Sequence, residues 1–147
     1  MKLEIRRYRD SDWDEWLRMS LALFDGCSED DLTKGMREFR ARSDGEVFVV
    51  DRGDGSLAGF VEAGSRPYAE GCETSPVGYV EAWYIDHDVR RQGYGRALLQ
   101  AAEEWARAQG YREMASDALL DNEISHRAHK ASGYSEVERI VTFRKEL

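Results

Sequence analysis

The stretch Arg90-Arg91-Gln92-Gly93-Tyr94-Gly95-Arg96 lies between a run of β-branched and aromatic residues, Val77 to Ile85, and a helix-like segment bearing Leu98, Leu99, Ala102 and Trp105. A glycine-rich turn that leads from a strand into a helix is a natural anion site, because the first N–H groups of a helix lack internal partners and sit at the positive end of its dipole. Gly93 and Gly95 let a ligand approach the backbone without a Cβ in the way. The dinucleotide fingerprint GxGxxG is not met, since the residue three past Gly95 is Leu98, and no Gly-Lys-Ser/Thr follows to make a Walker loop. What remains is R-x-x-G-x-G.

Working outward, a first strand alternates Leu3 and Ile5 with charged neighbours, and Asp12 with Glu15 three residues on predicts a capping box. The helix that follows carries Trp13, Trp16, Leu17, Leu21 and Phe24 on one side. After Gly26 a second helix is predicted from about Glu29 to Arg42, with Leu32, Met36 and Phe39 at helical spacing. Glu46 to Asp51 and Leu57 to Ala63 read as a hairpin turned at Gly53, Asp54 and Gly55. An irregular stretch, Gly64 to Pro76, leads to the fourth strand, Val77 to Ile85. Beyond the turn, the helix closes at Gly110, Tyr111 to Ser116 makes a fifth strand, Asn122 or Asp121 caps a short helix ending at Gly133, and Val137 to Phe143 forms a last strand. The resulting order, β, α, α, β, β, β, α, β, α, β, is an α/β layout with a mixed sheet. With only two prolines and no low-complexity linker, residues 1–147 are expected to form one domain.

Composition narrows the function. The 147 residues include 21 Lys plus Arg against 29 Asp plus Glu, a net charge of −8. That balance argues against a sequence-independent nucleic-acid partner, which needs a basic face, and favours a cationic one. No apolar run nears the roughly 20 residues of a membrane span, and MKLEIRRYRDSDW lacks a secretory apolar core, so a cytoplasmic protein without a membrane partner is expected. Two cysteines, Cys27 and Cys72, make no disulfide framework, and no clustered Cys/His spacing suggests a metal.

The pattern carried by Arg90, Gly93 and Gly95 resembles the acyl-CoA-binding signature Q/R-x-x-G-x-G/A of the GNAT N-acetyltransferases, and the element order is similar to the GNAT fold over nearly the whole chain. Downstream, Arg112 to Asp117, then Asn122, Ile124 and Ser125, then Ser132 to Tyr134, Glu138, Arg139 and Phe143 to Lys145 resemble the C-terminal half of aminoglycoside 6'-N-acetyltransferases. The segment Tyr68 to Pro76 is similar to the acceptor-side loop of that family. The resemblance implies a mostly antiparallel mixed sheet with flanking helices, and a cofactor cleft where the fourth and fifth strands splay apart. It also implies acetyl-CoA as donor, an aminoglycoside or other amine as acceptor, and a homodimer with contacts through the terminal strands.

Carried onto this sequence, the resemblance places the pantetheine arm on backbone groups of Trp83, Tyr84 and Ile85, and the pyrophosphate on Arg91, Gln92, Gly93, Tyr94, Gly95 and Arg96, with Arg90 at the rim. Asn122 carries two readings, a hydrogen bond to the cofactor arm and a helix N-cap. An amine in water is mostly ammonium at pH 7, so acetyl transfer needs a proton acceptor. Glu81, on the fourth strand at the position of the family's substrate-contacting glutamate, is the candidate. A backbone N–H at Ile85 or its neighbour is expected to stabilise the oxyanion. His129 stands where many GNAT enzymes carry a tyrosine general acid, and it is the candidate to protonate the departing thiolate, unless coenzyme A leaves unaided. Phe24, Tyr68, Glu81, Asp117 and Glu138 are the expected acceptor contacts, aromatic faces for sugar rings and carboxylates for ammonium groups, whereas Glu70, considered with them, reads first as a solvated acid, as does Glu73. Cys72 is read as structural. The same fold admits another polyamine or a protein amine as acceptor, or a non-catalytic acyl-CoA sensor.

Overall fold

Apolar side chains on both faces of the central strands require cover on both sides of the sheet, and the helices supply it. The structure, a computed structural model, describes residues 2–147. Its elements are β1 (Glu4–Arg7), α1 (Trp13–Leu23), α2 (Glu29–Ala41), β2 (Glu46–Asp51), β3 (Leu57–Arg66), β4 (Val77–Ile85), α3 (Tyr94–Ala108), β5 (Met114–Ser116) and α4 (Glu123–Ala131), with short 3-10 turns at Asp10–Asp12 and His87–Val89. The five strands lie in chain order, antiparallel throughout except for the parallel pair β4–β5.

Along β2, alternate residues face opposite layers. Phe48 and Val50 join Val61, Val80, Leu98, Leu99, Ala102 and Trp105 beneath α3. Val47 and Val49 join Phe60, Ala82, Trp16, Met19, Met36 and Phe39 beneath α1 and α2. Each fully buried large side chain contributes about 1.5–3 kcal/mol to holding these layers. At the far end of β4, buried Asp86 receives Arg18 of α1 at 2.9 Å and Arg52 of the β2–β3 turn at 3.1 Å. Burial opposes its charge, but the two guanidinium groups hold the Asp86 carboxyl below its ordinary range.

Three expectations are corrected. The capping box is not formed. The Asp12 carboxylate accepts from the Arg9 N–H at 2.8 Å and pairs with Arg6 of β1, whereas Glu15 binds Arg18 and the Leu57 N–H. Asp12 thus serves β1 through Arg6, and Glu15 ties α1 to the start of β3 through the Leu57 N–H while pairing with Arg18 of its own helix. The fifth strand spans Met114–Ser116 rather than starting at Tyr111, because Tyr111 packs its ring on Trp105 of α3, 6.0 Å away. The last strand is absent. Residues 137–143 have no ladder partner among the described residues, and Val137, Ile140, Val141 and Phe143 are 64%, 49%, 70% and 92% exposed, so the strand-like pattern lacks a surface to pair with in the single chain.

Candidate functional site

β4 is joined to β5 only through Gly78, Tyr79 and Val80, after which the two strands part. Residues Glu81 to Ile85 are thus left with β3 on one side and an open edge on the other. The Asp86 N–H donates to Ala58 O at 2.7 Å, and hydrogen-bonded positions alternate along an antiparallel ladder. Tyr84 therefore turns its backbone groups to Phe60 of β3, while those of Trp83 and Ile85 face the open edge. Arg90 Nε reaches the Ile85 carbonyl from that edge at 3.0 Å. Two of the three expected backbone contacts can therefore meet a ligand in the cleft; Tyr84 is a correction, because its groups are spent within the sheet.

The start of α3 abuts the same edge. Gly93, at φ 89, is its N-cap, and Arg91, two residues earlier, also has positive φ. A Cβ on Gly95 would lie 3.2 Å from the Trp83 ring and 3.5 Å from Ile85, and Trp83 Nε1 donates to the Gly95 carbonyl at 3.0 Å. The helix start is thereby pinned against β4 with its first N–H groups beside the cleft. Donor groups along an unpaired strand edge, continuing into a helix N-terminus, fit an extended ligand that ends in phosphates.

His129 of α4 closes the other wall. Its Nε2 lies 2.7 Å from Ser116 Oγ and its Nδ1 2.8 Å from the Ser125 carbonyl, and its ring meets Trp83 and Tyr134 edge-on at 5.0 and 5.9 Å. The carbonyl assigns a proton to Nδ1, so Nε2 accepts from Ser116. Tyr134, whose hydroxyl donates to Glu103 at 2.8 Å, has its phenol pushed well above its ordinary range by burial and by that carboxylate. Asn122 caps α4, its Oδ1 accepting from the Ser125 N–H at 3.1 Å, which leaves its amide NH2 for other contacts.

The register of β3 and β4 shifts between Glu62 and Ala63, which pair with Ala82 and Val80, so Glu81 is the extra residue of a bulge. The bulge turns Glu81 to the α1–α2 side, beside Ala82. Arg66 grips its carboxylate at 2.5 and 3.1 Å, and Arg42 stands 3.9 Å away. The Arg66 guanidinium also stacks 3.6 Å over Tyr79, whose hydroxyl donates to Asp117 at 2.5 Å. Burial and Asp117 together raise the Tyr79 phenol. Glu81 and Asp117 are thus connected through the stacked pair of Arg66 and Tyr79.

Glu81 and Phe24 line a cleft of about 450 Å³ between α1, α2 and the sheet, together with Asp31, Glu38, Arg42, Ser20 and Glu62. Glu62 was not anticipated, although a lone acid in the apolar run Leu57 to Ala63 is the signal that marks it. Its carboxylate accepts from Trp16 Nε1 at 3.2 Å, and burial, opposed by that bond and reinforced by Glu81, raises it to about 7. Asp117, Glu138 and Glu70 border a separate groove of about 520 Å³ that includes His129 and the C-terminal segment. Tyr68, 67% exposed, stands on the connecting loop. Cys72 lies in the second groove, where burial and Glu113 raise its thiol, the reverse of what a nucleophile needs. No group of three or more metal-ligating side chains occurs among the described residues, and no helix among them is long and apolar enough to cross a membrane.

Comparison with known proteins agrees with this geometry. Residues 6–134 match the sequence model of the Acetyltransferase (GNAT) family. The aminoglycoside N(6')-acetyltransferase type 1 of Stenotrophomonas maltophilia is 38% identical over 144 residues, covering 97% of this chain and 93% of that protein. Its namesake from Klebsiella aerogenes is 39% identical over 147 residues, covering 97% and 96%. The crystal structure of the aminoglycoside 6'-N-acetyltransferase AAC(6')-Ig from Acinetobacter haemolyticus superposes with a TM-score of 0.91 at 33% identity, over 98% of this chain and 99% of that one. AAC(6')-Iy, in complex with the bisubstrate analog CoA-S-monomethyl-acetylneamine, superposes over the full length of both chains with a TM-score of 0.92 at 30% identity.

Proposed function

The chain belongs to the acetyltransferase (GNAT) family, and on that premise we propose that it transfers acetyl from acetyl-CoA to the 6'-amine of an aminoglycoside by direct attack in a ternary complex. The observation that carries this reading is the juxtaposition of the open β4 edge, the N-terminus of α3 and an acidic cleft reached through Glu81. The likeness to relatives named as aminoglycoside 6'-acetyltransferases supports the acceptor.

Trp83 and Ile85 offer backbone groups to the pantetheine arm, and Arg91 to Arg96 receive the pyrophosphate on their N–H groups with arginine charge at the rim. Asn122 contributes its free amide NH2. Glu81 binds the acceptor ammonium, oriented by Arg66, and takes its proton directly or through water. The Ile85 N–H stabilises the negative charge that develops on the thioester oxygen. His129, with Nε2 turned to Ser116, delivers a proton to the thiolate only from its doubly protonated form. Phe24 covers a sugar ring, Asp117 and Glu138 meet the rest of the acceptor at the second groove, and Tyr68 offers its ring from the exposed connecting loop.

Residues 1–147 act as one catalytic unit in the cytoplasm, without a nucleic-acid or membrane partner. The exposed Val137, Ile140, Val141 and Phe143 support a homodimer in which a second copy covers this segment. Light scattering that gives a monomer at micromolar concentration contradicts the dimer. The test of the activity is thiol release from acetyl-CoA with kanamycin, tobramycin, spermidine and peptide amines offered separately. Release with the aminoglycosides is expected, and release with peptides alone overturns the reading.

A further inference from the structure

The floor of the α1–α2 cleft holds two polar groups to which the reaction above gives no task. Glu62 lies on β3, one strand further from the donor cleft than Glu81. The charge of Glu81 is answered by Arg66 and Arg42, whereas no cationic side chain pairs with Glu62 among the described residues. Its one side-chain partner among the described residues is the Trp16 indole, a single neutral hydrogen bond to one oxygen. Four residues along α1 from Trp16, and so on the same helical face, stands Ser20. Ser20 is 1% exposed, lines the same cleft, and its hydroxyl has no hydrogen-bond partner among the described residues.

A buried hydroxyl without a partner and a half-buried carboxylate without a counter-charge both cost stability in the free protein, and each is relieved by one kind of ligand. An ammonium group supplies the missing charge to Glu62 and a donor to Ser20 Oγ. The surrounding cleft agrees in sign, with Asp31, Glu38, Glu62 and Glu81 against the single guanidinium of Arg42. Adjacent strands lie about 4.8 Å apart, so carboxylates on β3 and β4 suit two amines of one sugar ring.

We propose that Glu62 and Ser20 form a second ammonium subsite, which selects acceptors carrying a further amine on the ring whose 6'-amine is acetylated. This rests on the aminoglycoside reading of the cleft. Kanamycin A and kanamycin B are suitable probes, since they differ by a hydroxyl or an amine on that ring. In steady-state assays the wild type is expected to show a KM for kanamycin B lower by about tenfold, the ratio expected of one charged hydrogen bond. Glu62→Gln keeps an oxygen for Trp16 but removes the charge. It is expected to raise the KM for kanamycin B about tenfold, leaving the KM values for kanamycin A and acetyl-CoA within about twofold. Ser20→Ala is expected to act in the same direction and more weakly. A kanamycin B to A ratio that is the same in Glu62→Gln and wild type overturns the subsite. If Glu62→Gln folds poorly, Glu62→Asp, which keeps the charge, must retain the preference for kanamycin B. If the wild type acetylates neither compound, the proposed activity fails, yet calorimetric binding of both compounds to wild type and Glu62→Gln still decides the subsite by the same ratio.

Discussion

Replacing Glu62 by Gln is expected to stabilise the free protein above neutral pH. An ordinary glutamate titrates at 4.5 and Glu62 at about 7, because its burial beneath α1 penalises the charged form. That difference corresponds to a ceiling of about 3 kcal/mol. The folded state holds this proton more tightly than the unfolded chain, so the contribution is fully present below pH 4.5, is lost as pH rises through about 7, and stays lost above it. Gln carries no charge at any pH and escapes the loss. The groups facing Glu62 are Trp16 and Ser20 of α1 and Glu81 of β4, with Arg42 across the cleft and Arg66 beyond Glu81. Water entering the cleft weakens the effect, which leaves roughly 1–3 kcal/mol, or roughly 3–10 °C in Tm for a domain of this size. Thermal unfolding of both proteins at pH 5 and pH 8, without ligand, measures it. The variant should gain on the wild type only at pH 8. An equal Tm difference at the two pH values refutes the reasoning, because it places the effect in packing rather than in the charge.

Glu81→Gln should lower kcat by about a hundredfold, as expected for loss of a general base, while acetyl-CoA binding, measured by calorimetry, stays within about twofold; unchanged turnover removes Glu81 from the reaction. Gly95→Ala places a methyl group 3.2 Å from the Trp83 ring, so the start of α3 must shift from β4. The KM for acetyl-CoA should rise several-fold with little change in the KM for the acceptor. Asp86→Asn weakens the grip on Arg18 and Arg52. Because the folded-state value of Asp86 is lowered, its contribution is present above pH 3.8 and lost as pH falls through the folded value. In urea titrations the variant should be less stable at pH 7 by about 3 kcal/mol, with the gap closing below pH 4.

The donor side of the site was legible in the sequence because local chemistry determines it. Gly93 and Gly95 between a β-branched run and a helical face mark a strand, a turn and a helix N-terminus, and the structure has that order. The acceptor side depends on register. A strand pattern places Glu81 within β4, but only the paired partner shows that it is the bulge residue turned beside Ala82, or that Arg66 of β3 holds it. The same limit hid Glu62, whose isolation reflects which side chains α1 brings near it, and it turned Asp12 from a helix cap into a partner of Arg6. Which backbone groups of Trp83, Tyr84 and Ile85 face the cleft follows from the ladder with β3, and composition carries no trace of it. Residues 137–143 read as a strand because their apolar residues demand cover, and the single chain does not provide it.

The most direct measurement is the structure of the acetylated product. With acetyl-CoA and kanamycin B, NMR of the purified product should locate a single acetyl group on the 6'-nitrogen, formed in step with the release of one coenzyme A thiol. Acetylation at any other nitrogen, or thiol release without an acetylated aminoglycoside, contradicts the account.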